Sequence, residues 1–443
     1  MSSPPATQPR GTAPACAVQA PAEPAPGGID RELRWFRGAL GLCFLSTLLL
    51  SRRAWLSSGR DYPLVPVVDG LPQPPFPLDW LLFAAMAAAL LGMSFARRPR
   101  PYLVVVLCIA GAWALLDQTR WQPYLLTYVA GTGCLLLGEM RGVRAPGDPP
   151  RRWHMAPFQL SLCAMWTWSG VHKFNLVYLT HDFPLLMRPV ALRLGIGAAE
   201  APRVLLWAGL ASAAVEAALG AALLWPRTRR AAVAGLTLMH GFLMLVLGPL
   251  GYASNTVVWP WNAAVVAALW LLFWPRAAAA RFDGFVRGWW MRLRRRAGPE
   301  IPRPLRLGWW MAVVCFGLLP ALSFAGWWDA SLSFQMYAGK QRYVLIDYHP
   351  AQRGALPAAA LQGQRRTGQV DLVTWSMREL NVFPVMETRV VTRIGRAVAL
   401  RAPRAEVRVR IAGPPSVIQG ERDFRAFVYE GPEQIPREIP YRR

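Results

Sequence analysis

Long apolar runs, separated by proline and arginine, constrain this chain more than any other feature of its sequence. Each run is about 17–25 residues long, which is the length that a helix needs to cross the hydrocarbon of a bilayer. The apolar fraction of 54% and the 21 tryptophans agree, because soluble domains seldom carry so much apolar surface. The sequence therefore predicts an all-α, multi-pass membrane helical bundle.

We predict about nine spans in this bundle. They are residues 35–51, 78–95, 101–116, 123–139, 157–176, 203–225, 231–248, 254–274 and 307–326. Prolines mark many of the joints, as expected because a first helical turn tolerates proline and a helix interior does not. Several runs are short, so a re-entrant or strongly tilted segment is an alternative to a full span for some of them.

The composition divides the chain into three parts. Residues 1–29 are rich in proline and alanine and predict a disordered tail. Residues 30–326 form the predicted transmembrane domain, and residues 327–443 are polar and rich in arginine. Alternating and helical spacings in this last part predict a small α+β domain outside the membrane. Its predicted strands are 343–346, 405–411 and 424–429, and its predicted helices are 371–381 and 386–400.

Basic residues are distributed unevenly between the predicted loops. With the N-terminus inside, the cytoplasmic segments carry more than three times as many basic residues as the external loops between the spans. This bias predicts a protein of the inner (cytoplasmic) membrane, with the N-terminus inside and the C-terminal domain outside. The position of the C-terminal domain depends on an odd number of spans.

The net charge of +24 also invites comparison with nucleic-acid-binding proteins. The arginines lie mainly between apolar runs, however, and no zinc-finger spacing or aromatic RNA-binding signature accompanies them. We therefore expect contact with membrane lipids and no nucleic-acid partner. The six cysteines include no C-x-x-C pair, which argues against a disulfide framework and a zinc site.

Lysine is almost absent from the chain, which has only Lys173 and Lys340. Lys173 follows a tryptophan-rich apolar run near the end of the fifth predicted span. Its ammonium is either a snorkelling group that marks the helix end or a base in a cavity open to the outside. Ser169 and Trp166 lie on the same helical face as Lys173, so we expect both to line such a cavity. Lys340 follows the last span and is expected to face the same compartment.

Two further ionisable residues lie midway along predicted spans. Glu216 is in the sixth span, where a carboxyl group must be neutral or paired. His240 is in the seventh span and is expected to pair with Glu216, because a short loop makes these two helices antiparallel neighbours. With Lys173 they form the predicted catalytic set. The alternatives are an interhelical hydrogen bond for Glu216 and a packing role for His240.

The eighth predicted span begins with a polar, proline-interrupted stretch that includes Asn255, Trp259 and Asn262. Irregular backbone survives at membrane depth only where protein buries it or a cavity lies beside it. These residues are therefore predicted to form a second wall of the pocket, the alternative being a tryptophan belt at the membrane surface. Asp117 and Glu139, near span ends, are expected to be solvated. No metal site or nucleotide-binding loop is predicted.

Several runs together resemble bacterial HTTM-type membrane proteins, the relatives of vitamin K-dependent gamma-carboxylase. They are W-T-W-S-G-V-H-K-F-N at 166–175, the spans with Glu216 and His240, the L-G-P-L-G and V-W-P-W-N stretches, and S-L-S-F-Q-M-Y-A-G-K at 331–340. The resemblance covers most of residues 35–430. A DoxX-like family is similar in its small-residue, Gly-x-x-Lys pattern and is the weaker match.

This resemblance implies a helical membrane bundle with an external C-terminal domain. It also implies that Lys173 is the base that acts with a reduced quinone, although the animal motif continues with Leu-Asp where this chain has Phe174 and Asn175. The cofactor is not specified by the residues, and reduced quinone is the candidate. The expected function is quinol- or lipid-dependent catalysis at a site open to the outer face. The alternative is a non-catalytic membrane subunit or partner of a thiol–disulfide redox protein.

Overall fold

The computed structural model describes most of the chain after residue 25. The described ranges are 26–140, 153–197, 201–251, 255–293, 303–335, 337–339, 342–362, 367–402, 406–413, 424–429 and 436–440. Most of the predicted tail, and Lys340, lie outside these residues. The first helix begins at Pro26, so the end of the segment predicted to be disordered is helical.

Helices dominate the first three quarters of the described chain. We number them α1 (Pro26–Leu50), α2 (Leu78–Phe95), α3 (Arg100–Leu116), α4 (Pro123–Gly138), α5 (Ala156–His172), α6 (Phe183–Arg193), α7 (Ala201–Ala222), α8 (Arg229–Leu247), α9 (Val258–Ala268), α10 (Arg276–Leu293) and α11 (Arg303–Met311). π-Helical turns continue α9 through Leu269–Phe273 and α11 through Ala312–Leu318, after which Leu319–Leu322 is helical again. Each predicted span overlaps one of these helices or its π-helical continuation.

Length and apolarity together identify fewer membrane-crossing helices than the nine predicted. Among the described residues, five helices are long and apolar enough to cross a bilayer, and a bent pair formed by Val258–Phe273 and Ala278–Met291 makes a sixth candidate. Helices α3 and α4 are apolar but shorter. The structure thus confirms a mostly helical, membrane-associated chain.

Helix α5 is tied to its neighbours by side chains that donate hydrogen bonds in several directions. The Gln159 amide donates to the carbonyl of Leu272 at 2.7 Å, and the Trp168 indole donates to the carbonyl of Gly317 at 2.9 Å. Both acceptors lie in the π-helical turns that follow α9 and α11. A polar side chain inside an apolar bundle must find such a partner, because an unpaired donor there costs free energy.

The backbones of α5 and α7 touch. A side chain at Gly170 would overlap the backbone nitrogen of Ala217, and one at Gly220 would overlap the backbone of Thr167. Glycine lets apolar helices approach this closely, so that dispersion contacts and hydrogen bonds hold them together. The small residues of both helices therefore set the distance across which a buried side chain of α7 can reach α5.

The C-terminal part, called the C-terminal domain below, contains a small antiparallel sheet with helices packed against it. Five antiparallel strands stand in the order β2-β1-β3-β4-β5, with β1 at Tyr343–Asp347, β2 at Gln369–Asp371, β3 at Val407–Ala412, β4 at Phe424–Tyr429 and β5 at Pro436–Pro440. Ile346 pairs with Val409 and Val370 in neighbouring strands. Helices α12 (Leu372–Leu380) and α13 (Thr388–Arg401) bury their apolar faces, where Gly395 lets α13 lie close to Val409. The short strands β2 and β5 were not predicted.

This domain is hydrogen-bonded to the ends of the apolar helices. The Glu379 carboxylate accepts the backbone N–H groups of Asp61 and Tyr62 at 2.5 and 2.7 Å, and the Asn381 amide donates to the carbonyl of Leu50 at 3.0 Å. Nε of Arg389 donates a hydrogen bond to Oε1 of Gln118, which follows the end of α3, at 2.6 Å. The domain therefore rests on the segments that follow α1 and α3.

The expectation that Asp117 is solvated is wrong. Its carboxylate is fully buried beside Arg60 at 2.9 Å, and the guanidinium of Arg120 lies 3.8 Å away. Backbone N–H groups of Val65 and Thr119 complete its hydrogen bonds at 3.1 and 3.0 Å. The position of Asp117 near the end of a span does not reveal that it is buried, because Arg60 and Val65, which cover it, come from a loop that is distant in sequence.

Candidate functional site

Lys173 lies at the C-terminal end of α5 and is paired with a carboxylate. Its ammonium donates to Oε2 of Glu216 and also lies 3.3 Å from the hydroxyl of Ser169. The Lys173 and Glu216 side chains are only 14% and 10% exposed, respectively. The ammonium is therefore not a snorkelling group in bulk water, since its nearest partners are an opposite charge and a hydroxyl.

The sequence explains why this pair forms. Ser169 and Lys173 are one helical turn apart and so share a face of α5. Glu216 belongs to the buried stripe of α7, whose other members are Gly209, Ala213 and Gly220. Because the glycines bring the two backbones together, the carboxylate of α7 reaches the ammonium of α5. A pair this little exposed is strongly coupled, since removing one member leaves the other charged and desolvated.

His240 does not pair with Glu216, contrary to the sequence-based expectation. Its Nε2 accepts the indole N–H of Trp166 at 2.8 Å, and its Nδ1 lies 2.5 Å from Oδ1 of Asn262. The Asn262 amide is held in turn by a hydrogen bond from Nδ2 to the carbonyl of Val258 at 2.7 Å. Their positions midway along neighbouring spans predicted polar partners for both residues but could not say which residues these partners are.

This chain of hydrogen bonds specifies the protonation state of His240. An indole nitrogen only donates, so Nε2 of His240 must be the acceptor in its bond with Trp166. The proton of the neutral imidazole is then on Nδ1, from which it is donated to Asn262. A second proton on Nε2 would face the indole N–H, and both groups would then be donors. His240 is thus held neutral and positions Trp166 and Asn262.

The other predicted pocket residues are divided between two places. Asn262 is completely buried within the His240 chain. Asn255 lies at the beginning of the α9 region, where its amide donates to the hydroxyl of Tyr337 at 2.5 Å. Trp259 covers Gly248 and is 38% exposed. Among the described contacts, neither Asn255 nor Trp259 touches Lys173.

Two residues that sequence reasoning missed connect Lys173 to the segment after the last span. Asn175 donates to the carbonyl of Ala338 at 2.6 Å and to that of His172 at 2.9 Å. Gly339, with φ of +68°, lies against the backbone of Tyr178 so closely that a side chain would overlap it. The asparagine two residues after the lysine and the Tyr-Ala-Gly run were visible in the sequence, but only as parts of separate runs.

The sequence runs on which the family resemblance rests are therefore in contact with one another through a few side chains. The 166–175 run meets Glu216 through Lys173, the eighth predicted span through Trp166 and His240, and the 331–340 run through Asn175. A small pocket of about 20 Å³ lies elsewhere, towards the opposite end of α5, with Glu32, His154, Gln159 and Arg281 in its wall. In the described ranges no three ligand-type residues are grouped to hold a metal ion.

The arrangement provides a little-exposed ammonium–carboxylate pair, a hydroxyl group, and a neutral imidazole that is hydrogen-bonded to an indole and an amide. The ammonium can give a proton to Glu216, and the resulting amine can take one from a bound molecule. The hydroxyl of Ser169 offers a further hydrogen-bonding group beside the reacting nitrogen. Comparison with known proteins gives no independent guide to this chemistry: no family model, no curated protein and no solved structure matches the chain.

Proposed function

We propose that the chain is a multi-pass protein of HTTM type, related to vitamin K-dependent carboxylase, that transfers a proton to and from a lipophilic substrate. The Lys173–Glu216 pair carries the chemistry, and a reduced quinone is the candidate substrate. The observation that supports this proposal best is an ammonium–carboxylate pair, only 14% and 10% exposed, at the place where separated sequence runs meet. Ionisable groups at membrane depth are expensive and are therefore functional candidates.

Contacts at the two ends of the bundle support nine crossings. The start of α1 meets the end of α2 through a hydrogen bond from Arg37 to the carbonyl of Ala96 at 2.9 Å. The start of α8 is joined to α10 by the ion pair of Arg229 and Asp283. The end of α1, in contrast, bonds to Asn381 of the C-terminal domain. Successive helices that run from one of these ends to the other each cross the bundle once. On this reading the shorter apolar helices α3 and α4 also cross the membrane.

The same contacts support an external C-terminal domain. This domain is attached at the end of α1, which is the outer end if the arginine-rich start of α1 is cytoplasmic. In this proposed orientation Lys173 belongs to the same outer end, which is supported by the hydrogen bond from Asn175 to Ala338 beyond the last predicted span. The proposed site therefore opens towards the compartment of the C-terminal domain, at the edge of an inner membrane.

The proposed proton transfer begins with the ion pair. A proton moves from Nζ of Lys173 to Oε2 of Glu216, which leaves a neutral amine and a carboxylic acid. The amine then takes the hydroxyl proton of the bound quinol and becomes an ammonium again, while the substrate becomes an anion beside it. Charge is conserved at each step, and a positioned base of this kind contributes about 10²- to 10⁴-fold to a rate.

The proposal is tested with the full chain in nanodiscs and a short-chain reduced naphthoquinone as the probe. Binding and oxygen-dependent oxidation are measured for Lys173→Met, Glu216→Gln and the wild type. The control is Glu406→Gln, which breaks an exposed ion pair with Arg408. We expect both site variants to lose at least about 100-fold in turnover while the control keeps it. Full binding and turnover in both site variants would rule out the proposal.

A non-catalytic role beside a redox protein is the second candidate. The closed, little-exposed ion pair favours it, because a purely structural pair has the same form. Purification from the native membrane after mild cross-linking tests it directly. Stable recovery of a thiol–disulfide oxidoreductase, together with unchanged recovery from Lys173→Met, would support this role. Recovery of the chain without any partner would contradict it.

A further inference from the structure

The corner between α9 and α10 carries positive charge next to two indole rings. Helix α9, with its π-helical continuation, and α10 form a bent pair with an angle of 78°. Trp274 lies in this corner, and Arg276 begins α10 two residues later. Arg230, in the first turn of α8, lies with its guanidinium carbon 5.4 Å from the centre of the Trp274 ring. Two arginines are therefore close to one indole, the first in space and the second along the chain.

These arginines have no acidic partner among the residues that the structure describes. Both are exposed, and no carboxylate oxygen of a described residue lies within 4.0 Å of a guanidinium nitrogen of Arg230 or Arg276. The carboxylate of Asp283, in α10, is bound by Arg229 instead, at 2.6 and 3.2 Å. Arg227, in the turn before α8, is exposed as well. The described residues of this corner therefore leave a surplus of positive charge.

A guanidinium group that lies over an indole keeps its hydrogen-bond donors. The five N–H groups of arginine lie in the plane of the group, so contact with the face of a ring does not use them. The strongest hydrogen bonds of arginine are those to carboxylate and phosphate oxygens, which two N–H groups can bind at once. Since no described carboxylate reaches Arg230, the group that fits it is an anion from outside the chain.

An apolar surface leads to these arginines along the outside of the bundle. The rings of Trp270 and Trp274 lie 4.5 Å apart, and the Trp270 indole donates to the hydroxyl of Thr237 in α8 at 3.1 Å. Trp270 is 40% exposed and Leu238, next to Thr237, is 74% exposed. Tryptophan near the end of a membrane helix lies at the level of the lipid headgroups. The anion that fits both the charge and this surface has an apolar chain attached to it.

We propose that this corner binds the headgroup of an anionic phospholipid. Arg230 and Arg276 hold the phosphate, and an acyl chain lies on Trp270 and Trp274. A lipid without a cation in its headgroup fits best, because an ammonium group would be repelled by the two guanidinium groups. This inference concerns lipid binding alone, so it does not require the ion pair between α5 and α7 to be catalytic.

The test measures lipid binding to the purified full chain in a neutral detergent by native mass spectrometry. The ligands are dioleoylphosphatidylglycerol and dioleoylphosphatidylcholine, which differ in the charge of the headgroup. The wild type is expected to bind the first phosphatidylglycerol about 10-fold more tightly than the first phosphatidylcholine. Arg230→Gln combined with Arg276→Gln should abolish this preference, because it removes both charges that face the phosphate. A preference of unchanged size in this variant would overturn the inference.

The matched control combines Arg97→Gln with Arg98→Gln. These exposed arginines follow α2, at the end of the bundle where α1 begins and where α10 also lies. The control removes the same charge from the same end, and it should keep the preference for phosphatidylglycerol. Equal losses in the two double variants would overturn the inference, because the total charge would then decide lipid binding. All four side chains are exposed, so both variants should fold as the wild type.

Two further measurements separate this inference from its alternatives. Soluble glycerol phosphate in large excess should not displace phosphatidylglycerol, because it has no acyl chain for the two indole rings. Displacement would show a site for free phosphate and would overturn the assignment to a lipid. Lys173→Met should abolish turnover of the naphthoquinone and keep the lipid preference, so either proposal can fail while the other stands.

Discussion

Replacing Asp117 by asparagine should be among the most damaging single-atom changes in the chain. The change keeps the size of the side chain and one acceptor oxygen but removes the negative charge. Arg60 and Arg120 both lie against that carboxylate, and the side chains of all three residues are almost fully buried. The variant therefore leaves two buried guanidinium groups without their counterion.

The expected loss of unfolding free energy depends on the hydrogen bonds that the arginines keep in the variant. Removing one partner of a buried ion pair costs about 3–5 kcal/mol. Arg120 still donates to the carbonyls of Ala54, Trp55 and Trp113 at 2.8, 3.0 and 3.2 Å, which solvates part of its charge. Burial already lowers the pKa of Arg120 to about 10, so the group stays protonated at neutral pH. We therefore expect the lower part of the range, about 3 kcal/mol.

The assay is reversible unfolding of the purified protein in mixed micelles, followed by tryptophan fluorescence and circular dichroism. The matched control is Glu438→Gln, since Glu438 and Arg425 are 55% and 61% exposed and lie 3.8 Å apart. An exposed pair should cost less than about 1 kcal/mol. Adding Arg60→Gln to the Asp117 variant should recover part of the loss. Equal effects of Asp117→Asn and Glu438→Gln would refute the reasoning.

Three further changes probe the bundle and its junction with the C-terminal domain. Gly170→Leu should separate α5 from α7 and lower the melting temperature, whereas Gly133→Leu, at a position with open space, should not. His240→Phe removes the acceptor of a buried indole and should cost about 1–3 kcal/mol in the same unfolding assay, an effect that Trp166→Phe in the same chain should reduce. Glu379→Gln replaces the carboxylate that accepts two backbone N–H groups by a neutral amide, which is a weaker acceptor. Limited proteolysis should therefore cleave the variant faster near residue 61. An unchanged cleavage rate would contradict this expectation.

The pairing of Glu216 shows how far sequence patterns reach. Apolar length located the helix, and the depth of the carboxyl group predicted that it would be paired. The partner could not be predicted, because it depends on which helix lies against α7 and how closely. Gly170 and Gly220 allow the two helices to lie this close, because a side chain at either position would overlap the facing helix. The sequence alone does not show that these two glycines face each other's helix.

The C-terminal domain was easier to predict in its middle than at its edges. Alternation in β3 and helical spacing in α13 reflect burial on one side, which leaves a pattern in the sequence. The edge strands β2 and β5 are short, and β5 begins and ends with proline. Their pairing comes from neighbouring strands and not from a pattern of their own.

The bonds of α5 make this helix a rigid connection between two distant places. Gln159, near one end, lies in the wall of the small pocket and is bonded to Leu272. Lys173, fourteen positions later, holds Glu216 at the other end, about 21 Å away along the axis. A helix resists compression, so α5 cannot slide at one end alone. A change that moved Gln159 would therefore strain the distant ion pair, and hydrogen exchange at both ends would respond together.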